Sequence, residues 1–448
     1  MTMKGEKVGI SDFFRLPETI NDNDYIYATY YLETPMDLYE AANAFAAEQS
    51  TGTWRRVGYE TDDVRERHGI KIAGIYPIPV DIRVAHLPSA TVMEDFKGKR
   101  EGEARFNSAI LRLAFPHINF GPKIPNLLSA VAGNLYEMGA FTAIKLIDLE
   151  FPKEFLKDFP GPGFGIKGCR DILKVYDRPF VGAIIKPCVG INADQLAQLA
   201  YEGAKGGLDF IKDDELIADT AYNGIEERVK KVVKRLKEAR EETGEETMYA
   251  FNITDRMDRI KKLHDIVVEN GGNCVMINVA TAGLEAMREL AEYTKVPIHC
   301  HRDFAPMWAR SPYLGMSFLA LTKLFRLAGA DQTHIGAIQG KLYESDDEVL
   351  MSMRGCVLDL HNIKASVPVS SGGQWAGKAP VNYRKMGHVD FLHLSGAGVY
   401  AHPDGAEAGA RSVRQAWDAT LKGIPIEEHA KDHKELKRAM DFFGKVVY

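Results

Sequence analysis

Cysteine is scarce in this chain, and the five present, Cys169, Cys188, Cys274, Cys300 and Cys356, are scattered without C-x-x-C spacing. That pattern argues against a zinc knuckle and a disulfide framework, and it suits a reducing compartment. No apolar run approaches the roughly 20 residues that span a bilayer. The segment from Met1 to Pro17 mixes Lys, Asp and Glu and lacks a signal-peptide core. Basic charge is not in excess either: 56 Lys and Arg stand against 62 Asp and Glu, a net charge of −6. Such a balance offers no basic stripe to nucleic acid or to an anionic membrane surface. Low-complexity segments are missing as well. These absences predict a cytoplasmic protein with neither nucleic acid nor membrane as partner, in which any phosphate-binding cations are local.

What the chain has is length. Its 448 residues, 45% hydrophobic and 26% charged, exceed one ordinary core and point to two soluble domains. Residues 1–24 are polar and read as a flexible arm. From 25 to 155, strand-like runs at Tyr25 to Glu33, Ile70 to Ile75, Val80 to Ala85, Ala109 to Phe115 and Thr142 to Phe151 mix with helices at Leu38 to Gln49 and Pro125 to Gly133. Irregular alternation of this kind predicts an α+β domain, of ferredoxin-like type. Pro160-Gly161-Pro162-Gly163 punctuates its end.

A regular pattern follows. Eight strand-like runs, at Phe180 to Lys186, Leu208 to Lys212, Met248 to Ile253, Cys274 to Val279, Val296 to His301, Gln332 to Ala337, Ala365 to Ser370 and Val389 to Leu394, alternate with helical stretches. That count predicts a (β/α)8 TIM barrel over 156–425, with a doubly wound open sheet as the alternative. Residues 426–448 read as a helical C-terminal extension.

Barrel enzymes place their chemistry at the C-terminal ends of the strands, and the unusual polar residues fall there. Lys186 follows the first strand. Burial would lower its pKa and make it a base, whereas a lysine reaching the rim would stay an ordinary cation. The second strand ends in Lys212-Asp213-Asp214-Glu215. Alternation puts Lys212 and Asp214 on one face, and a bend lets Glu215 join them. Three oxygen donors there suit Mg2+, with the lysine supplying the third only as a carbamate formed with CO2. His299 and His301 share a face of the fifth strand but lack a third soft ligand for zinc. Arg302 follows them, His334 lies on the sixth strand, and glycine turns follow the last two.

The segment Gly206-Gly207-Leu208-Asp209-Phe210-Ile211-Lys212-Asp213-Asp214-Glu215 resembles the G-G-x-D-F-x-K-D-D-E motif of the RuBisCO superfamily. Further motifs resemble that superfamily in order and spacing from about residue 25 to 420: Lys186-Pro187-Cys188 for K-P-K, His299-Cys300-His301-Arg302 for H-x-H-R, Gly340-Lys341-Leu342 for the mobile lysine loop, then Ser371-Gly372-Gly373 and Gly396-Ala397-Gly398. The resemblance implies Mg2+ on carbamylated Lys212, Asp214 and Glu215, with CO2 as activator. It implies Lys186 as the enolising base, His301 as proton shuttle, and Lys341 over the substrate. Arg302, His334, Ser371, Gly372, Gly373, Gly396 and Gly398 are implied to hold phosphate. Glu48, Thr53, Trp54 and Asn134 match residues that complete a neighbouring subunit's site, which implies a homodimer or an assembly of dimers.

Cys188 stands where carboxylases have a second lysine, and Asn119 to Pro125 and Gln374 to Gly377 resemble RuBisCO-like proteins. The resulting expectation is a RuBisCO-like protein that enolises a phosphorylated ketose, with an enolase, isomerase or decarboxylase outcome. Retention of Asn134 and Lys341 keeps a genuine ribulose-1,5-bisphosphate carboxylase as the alternative, and a non-catalytic sugar-phosphate binding protein is the minor one.

Overall fold

Aromatic and β-branched side chains from Tyr25 to Thr34 make the strand on which the N-terminal sheet is built. The structure, a computed structural model, describes residues 13–52, 55–87 and 105–444. Its chain divides into two compact units. One comprises the chain up to Phe159 with Pro306–Leu321 and Leu360–Asn362, and the other comprises the rest.

In the first unit, β1 (Tyr25–Thr34), β2 (Lys71–Ile82), β3 (Phe106–Pro116) and β4 (Ala143–Glu150) form an antiparallel sheet in the order β4-β1-β3-β2. The helix Leu38–Glu48 starts at Asp37, whose carboxylate accepts the backbone N–H groups of Tyr39 and Glu40 at 2.9 and 3.3 Å. Ala41, Ala42, Phe45 and Ala46 form its buried face, and Phe45 packs edge-on against Tyr30 at 4.8 Å.

Three expectations need correction here. The runs at 70–75 and 80–85 are not two strands but one, β2, with register shifts. Pro77 and Pro79 look like a break in the sequence, but an edge strand tolerates them because one side of its ladder is unpaired. Residues 13–24 are not a loose arm: Phe13 is fully buried and its carbonyl accepts the Ile72 N–H at 2.8 Å. The unit is also not one continuous stretch. A short strand, β10 (Leu314–Met316), pairs parallel with β4, matching Leu314 with Ile144. The helix that follows β10 begins at Phe318.

In the second unit, β5 (Phe180–Ile184), β6 (Phe210–Lys212), β7 (Met248–Asn252), β8 (Cys274–Asn278), β9 (Ile298–His301), β11 (Gln332–Gly336), β12 (Val367–Ser371) and β13 (Leu392–Ser395) form a closed parallel barrel. Pairing of β13 back onto β5, with Leu392 opposite Phe180, excludes the open-sheet alternative. The interior is filled by Phe180, Phe210, Met248, Met276, Val369 and Leu394, with Cys169 and Leu173 of the helix Gly165–Leu173 in the same cluster. Each large apolar side chain contributes roughly 1.5–3 kcal/mol by such burial. The interior is thus a packed core, and chemistry is left to the strand ends. Connecting helices include Ala193–Lys205, opened by a reciprocal capping box between Asn192 and Gln195, and Ile225–Thr243. Two helices, Ile426–His429 and Lys434–Phe443, close the described chain. Among the described residues no helix is long and apolar enough to cross a membrane.

Candidate active site

Strand β6 ends at Lys212, which has no exposed surface. Its Nζ donates to the Asp213 carbonyl at 2.7 Å and lies 3.3 Å from Glu215 Oε2. Burial disfavours the ammonium and pushes its pKa below the ordinary lysine value, against the pull of Glu215 and Asp214. A buried neutral amine is the form that reacts with CO2.

Asp213 points to the opposite face, as strand alternation requires. It accepts from Tyr249 Oη at 2.6 Å and from the Asn252 N–H at 2.8 Å, and lies 3.2 Å from Nε of the fully buried Arg228. This network anchors the turn from behind. From the front, Asn252 Nδ2 and Asn278 Nδ2 both donate to the Glu215 carbonyl, at 3.1 and 3.3 Å. Asn278 is 6% exposed, and among the described residues its Oδ1 has no hydrogen-bond partner. Sequence reasoning assigned no role to Asp213, Asn252 or Asn278. Asparagines ending β7 and β8 were the available signal.

Lys186, just past β5, forms an ion pair with Asp214, and its Nζ lies 3.0 Å from Cys188 Sγ. Burial alone would lower its pKa, as a desolvated base requires. Hydrogen bonds to Asp214 and Cys188 outweigh burial and hold it above the ordinary lysine value. Of the two readings the sequence leaves open for Lys186, pairing with Asp214 favours the cation.

Histidine geometry is equally specific. His301 Nε2 lies 3.4 Å from Glu215 Oε2, and its Nδ1 accepts the Asp303 N–H at 3.2 Å. The neutral ring therefore carries its proton on Nε2. Burial, with the Lys212 charge adding to it, lowers the pKa of His301.

Behind it runs a buried chain. Gln332 directs its amide nitrogen at Met248 Sδ (3.1 Å) and Cys169 Sγ (3.6 Å), so its carbonyl faces His299 Nδ1 at 2.8 Å. His299 Nδ1 then donates to Gln332, His334 Nε2 donates to His299 Nε2 at 2.8 Å, and Ser371 Oγ donates to His334 Nδ1 at 2.6 Å. Burial pushes the pKa of both rings well down.

Arg302 is buried and forms an ion pair with Glu344. Gly372 and Gly373 adopt φ of +111° and +72°, which favours glycine, and the Gly372 carbonyl accepts the N–H of the exposed Lys341 at 3.3 Å. A Cβ at Gly396 would sit 3.3 Å from Lys186 Cε, whereas one at Gly398 would strike the Gln374 carbonyl at 2.4 Å. Gly398 is therefore small to pack the two turns together.

Within the first unit, Asn134 Nδ2 donates to Glu48 Oε1 at 3.4 Å. Thr53 and Trp54 lie outside the described residues.

No three His, Cys, Asp or Glu side chains among the described residues converge as a ready metal site. Glu215 lies 3.3 Å from the Lys212 amine instead, and the charge of Asp214 acts on it. A carbamate on that amine would complete three hard oxygen donors, a set that fits Mg2+.

Residues 165–443 match the ribulose bisphosphate carboxylase large chain, catalytic domain, and residues 17–85 and 88–155 match its N-terminal domain. The chain is 38% identical to a ribulose bisphosphate carboxylase-like protein of Chlorobaculum tepidum, over 96% of this chain and 97% of that one. It is 36% identical to a 3-oxo-isoapionate-4-phosphate transcarboxylase/hydrolase of Xanthobacter autotrophicus, covering 94% of this chain and all of the other. The crystal structure of a rubisco-like protein from Burkholderia fungorum superposes with a TM-score of 0.86 at 36% identity, over 94% of this chain and 100% of that chain.

Proposed function

The chain belongs to the ribulose bisphosphate carboxylase large-chain family, and from that premise we propose that it is a RuBisCO-like enzyme that enolises a phosphorylated ketose. The observation that carries this reading is the buried Lys212 amine 3.3 Å from Glu215 Oε2, with Asp214, whose charge acts on the same amine, paired to Lys186. Lys212 as a carbamate, Asp214 and Glu215 would hold Mg2+, which when bound supplies Lewis-acid stabilisation of a developing enolate oxygen.

The remaining chemistry belongs to the side chains. The pair with Asp214 favours the Lys186 ammonium, so Lys186 acts as a base only when Asp214 is drawn away from it. It then takes the proton α to the substrate carbonyl. His301, with its proton fixed on Nε2, returns a proton to the enolate. The Gly372-Gly373 turn and the Gly396 turn offer backbone N–H groups to the substrate phosphate. A relative named for acting on 3-oxo-isoapionate 4-phosphate supports a phosphorylated carbonyl substrate. Loss of CO2 from a 3-oxo carboxylate, with the electron pair of the broken C–C bond staying on the substrate, generates the same kind of enolate. Cys188 in contact with Lys186 favours a RuBisCO-like outcome over carboxylation, because a neutral thiol replaces the second lysine cation of the family motif. Glu48, Thr53, Trp54 and Asn134 extend the proposal to a homodimer in which they serve the neighbouring copy.

The test is solvent deuterium exchange at the carbon α to the carbonyl of ribulose 5-phosphate and ribulose 1,5-bisphosphate, after preincubation with Mg2+ and bicarbonate. Exchange that needs both and is abolished in Lys212→Ala is expected. Exchange that persists in Lys212→Ala, or none with any phosphorylated ketose, would sink the reading.

A further inference from the structure

Cys169, Cys274, Cys300 and Cys356 are fully buried, and burial pushes each of their thiols up in pKa. A neutral thiol sealed in the core is inert towards oxidants. Cys188 is different, being only half-buried just past the end of β5. Its sulfur also has a second nucleophile beside it, because Lys186 Nζ donates to Cys188 Sγ at 3.0 Å. One residue, Pro187, separates the two in the chain, and the Lys186 side chain is 31% exposed, so a small oxidant in solvent can reach the pair.

We propose that Cys188 and Lys186 form a redox-sensitive modification site, in which hydrogen peroxide joins the sulfur to the lysine nitrogen and withdraws that lysine from proton transfer. The link itself is independent of the enolisation reading, and its effect on activity rests on that reading. In the first step the sulfur attacks peroxide: an S–O bond forms, the O–O bond breaks, and the other oxygen leaves as water with the thiol proton. The sulfur is now a sulfenic acid. In the second step Lys186, having given one ammonium proton to solvent, forms an N–S bond with its lone pair as the S–O bond breaks. The departing hydroxide takes an amine proton and leaves as water. Sulfur is oxidised, one peroxide is reduced to two waters, and the product is a sulfenamide. Geometry selects this ending, since a sulfenic acid condenses with a neighbouring thiol or nitrogen. The other thiols are all buried, whereas Lys186 Nζ already stands at the roughly 3–3.5 Å of a near-attack arrangement. Gly396 leaves the lysine room to turn: a Cβ there would lie 3.3 Å from Lys186 Cε. Dithiothreitol reverses the link. One of its thiols attacks the sulfur and expels the lysine amine, and the other then releases Cys188 by closing a ring disulfide.

The test is peptide mass mapping of the full-length protein after hydrogen peroxide, with dimedone to trap a lasting sulfenic acid and iodoacetamide in denaturant to mark every remaining thiol. The wild-type peptide holding Lys186 and Cys188 is expected to be lighter by two hydrogen atoms, unreactive to both reagents and restored by dithiothreitol, while the four buried cysteines remain thiols. In Lys186→Met the link cannot form, and Cys188 should carry dimedone instead. Exchange of the α-proton by wild type should fall by about 10²-fold or more as the link forms and return with dithiothreitol. Three outcomes would overturn the proposal and leave the enolisation reading standing: a wild-type Cys188 that still takes iodoacetamide after peroxide, one that takes dimedone or ends as a sulfinic acid, or a Lys186→Met peptide that still loses two hydrogen atoms. A link that forms in a protein with no exchange before oxidation would sink the enolisation reading and leave the modification site.

Discussion

Lys186 and Asp214 form a direct ion pair across the ends of β5 and β6. The pair ties the residue expected to move a proton to one of those expected to hold the cation. Lys186→Met should therefore fold normally, since the lysine is only partly buried, and lose α-proton exchange by about 10²–10⁴-fold. Exchange within about tenfold of wild type would remove Lys186 from proton transfer.

Asp213 serves the site from behind. Truncating it leaves the Arg228 cation uncompensated, with both side chains fully buried. Asp213→Ala should cost about 3–5 kcal/mol in urea unfolding, and Asp213→Asn less because an amide can still accept from Tyr249. A loss below about 1 kcal/mol would mean that the Ala218 and Asn223 carbonyls, already bonded to Arg228 Nη1, satisfy it alone.

His393 gives the barrel a pH-dependent weakness away from the site. It is fully buried on β13 near Trp417, neither ring nitrogen has a partner among the described residues, and burial lowers its pKa to about 3. The folded protein keeps the ring neutral while the unfolded chain binds a proton below about pH 6.5. Stability from this residue is complete above that pH and is lost as pH falls towards 3, at up to about 1.4 kcal/mol per pH unit. His393→Leu should flatten this dependence, so that the variant gains on wild type between pH 7 and 4 in denaturant titrations. Parallel curves for the two proteins would contradict a neutral buried His393.

The glycines after β13 should separate stability from activity. Gly398→Ala must push apart the turns after β12 and β13, because the new methyl meets the Gln374 carbonyl and Trp375 Cβ at 2.4 and 2.7 Å. A loss of about 1–3 kcal/mol in thermal unfolding is expected. Gly396→Ala meets only the flexible end of Lys186. It should leave Tm nearly unchanged and slow α-proton exchange. Equal effects of the two substitutions on Tm would refute the distinction.

How much of this was legible in the sequence depends on how local each cause is. The barrel was readable because each strand is a short apolar run ending in a polar residue, and Lys212, Asp214 and Glu215 lie within four positions. The Lys186–Asp214 pair was missed because its partners come from different strands. Glu344 was missed for the same reason: its partner Arg302 is 42 residues away, and a glutamate in a loop reads as solvated. The single strand β2 was hidden by two prolines whose meaning depends on its edge position. Phe13 looked like part of a polar arm because the pocket that buries it is made by residues far along the chain.

Strand β10 also bears on how the protein is made. The sheet of the first unit lacks its outer member until Leu314–Met316 has left the ribosome, by which time five barrel strands have already been synthesised. During that interval β4 presents an unpaired edge, open to pairing with another nascent chain. An N-terminal fragment ending at Phe159 keeps that edge permanently. The unit is therefore a poor candidate for production on its own, and demand for chaperones during synthesis should be greatest before Met316 emerges.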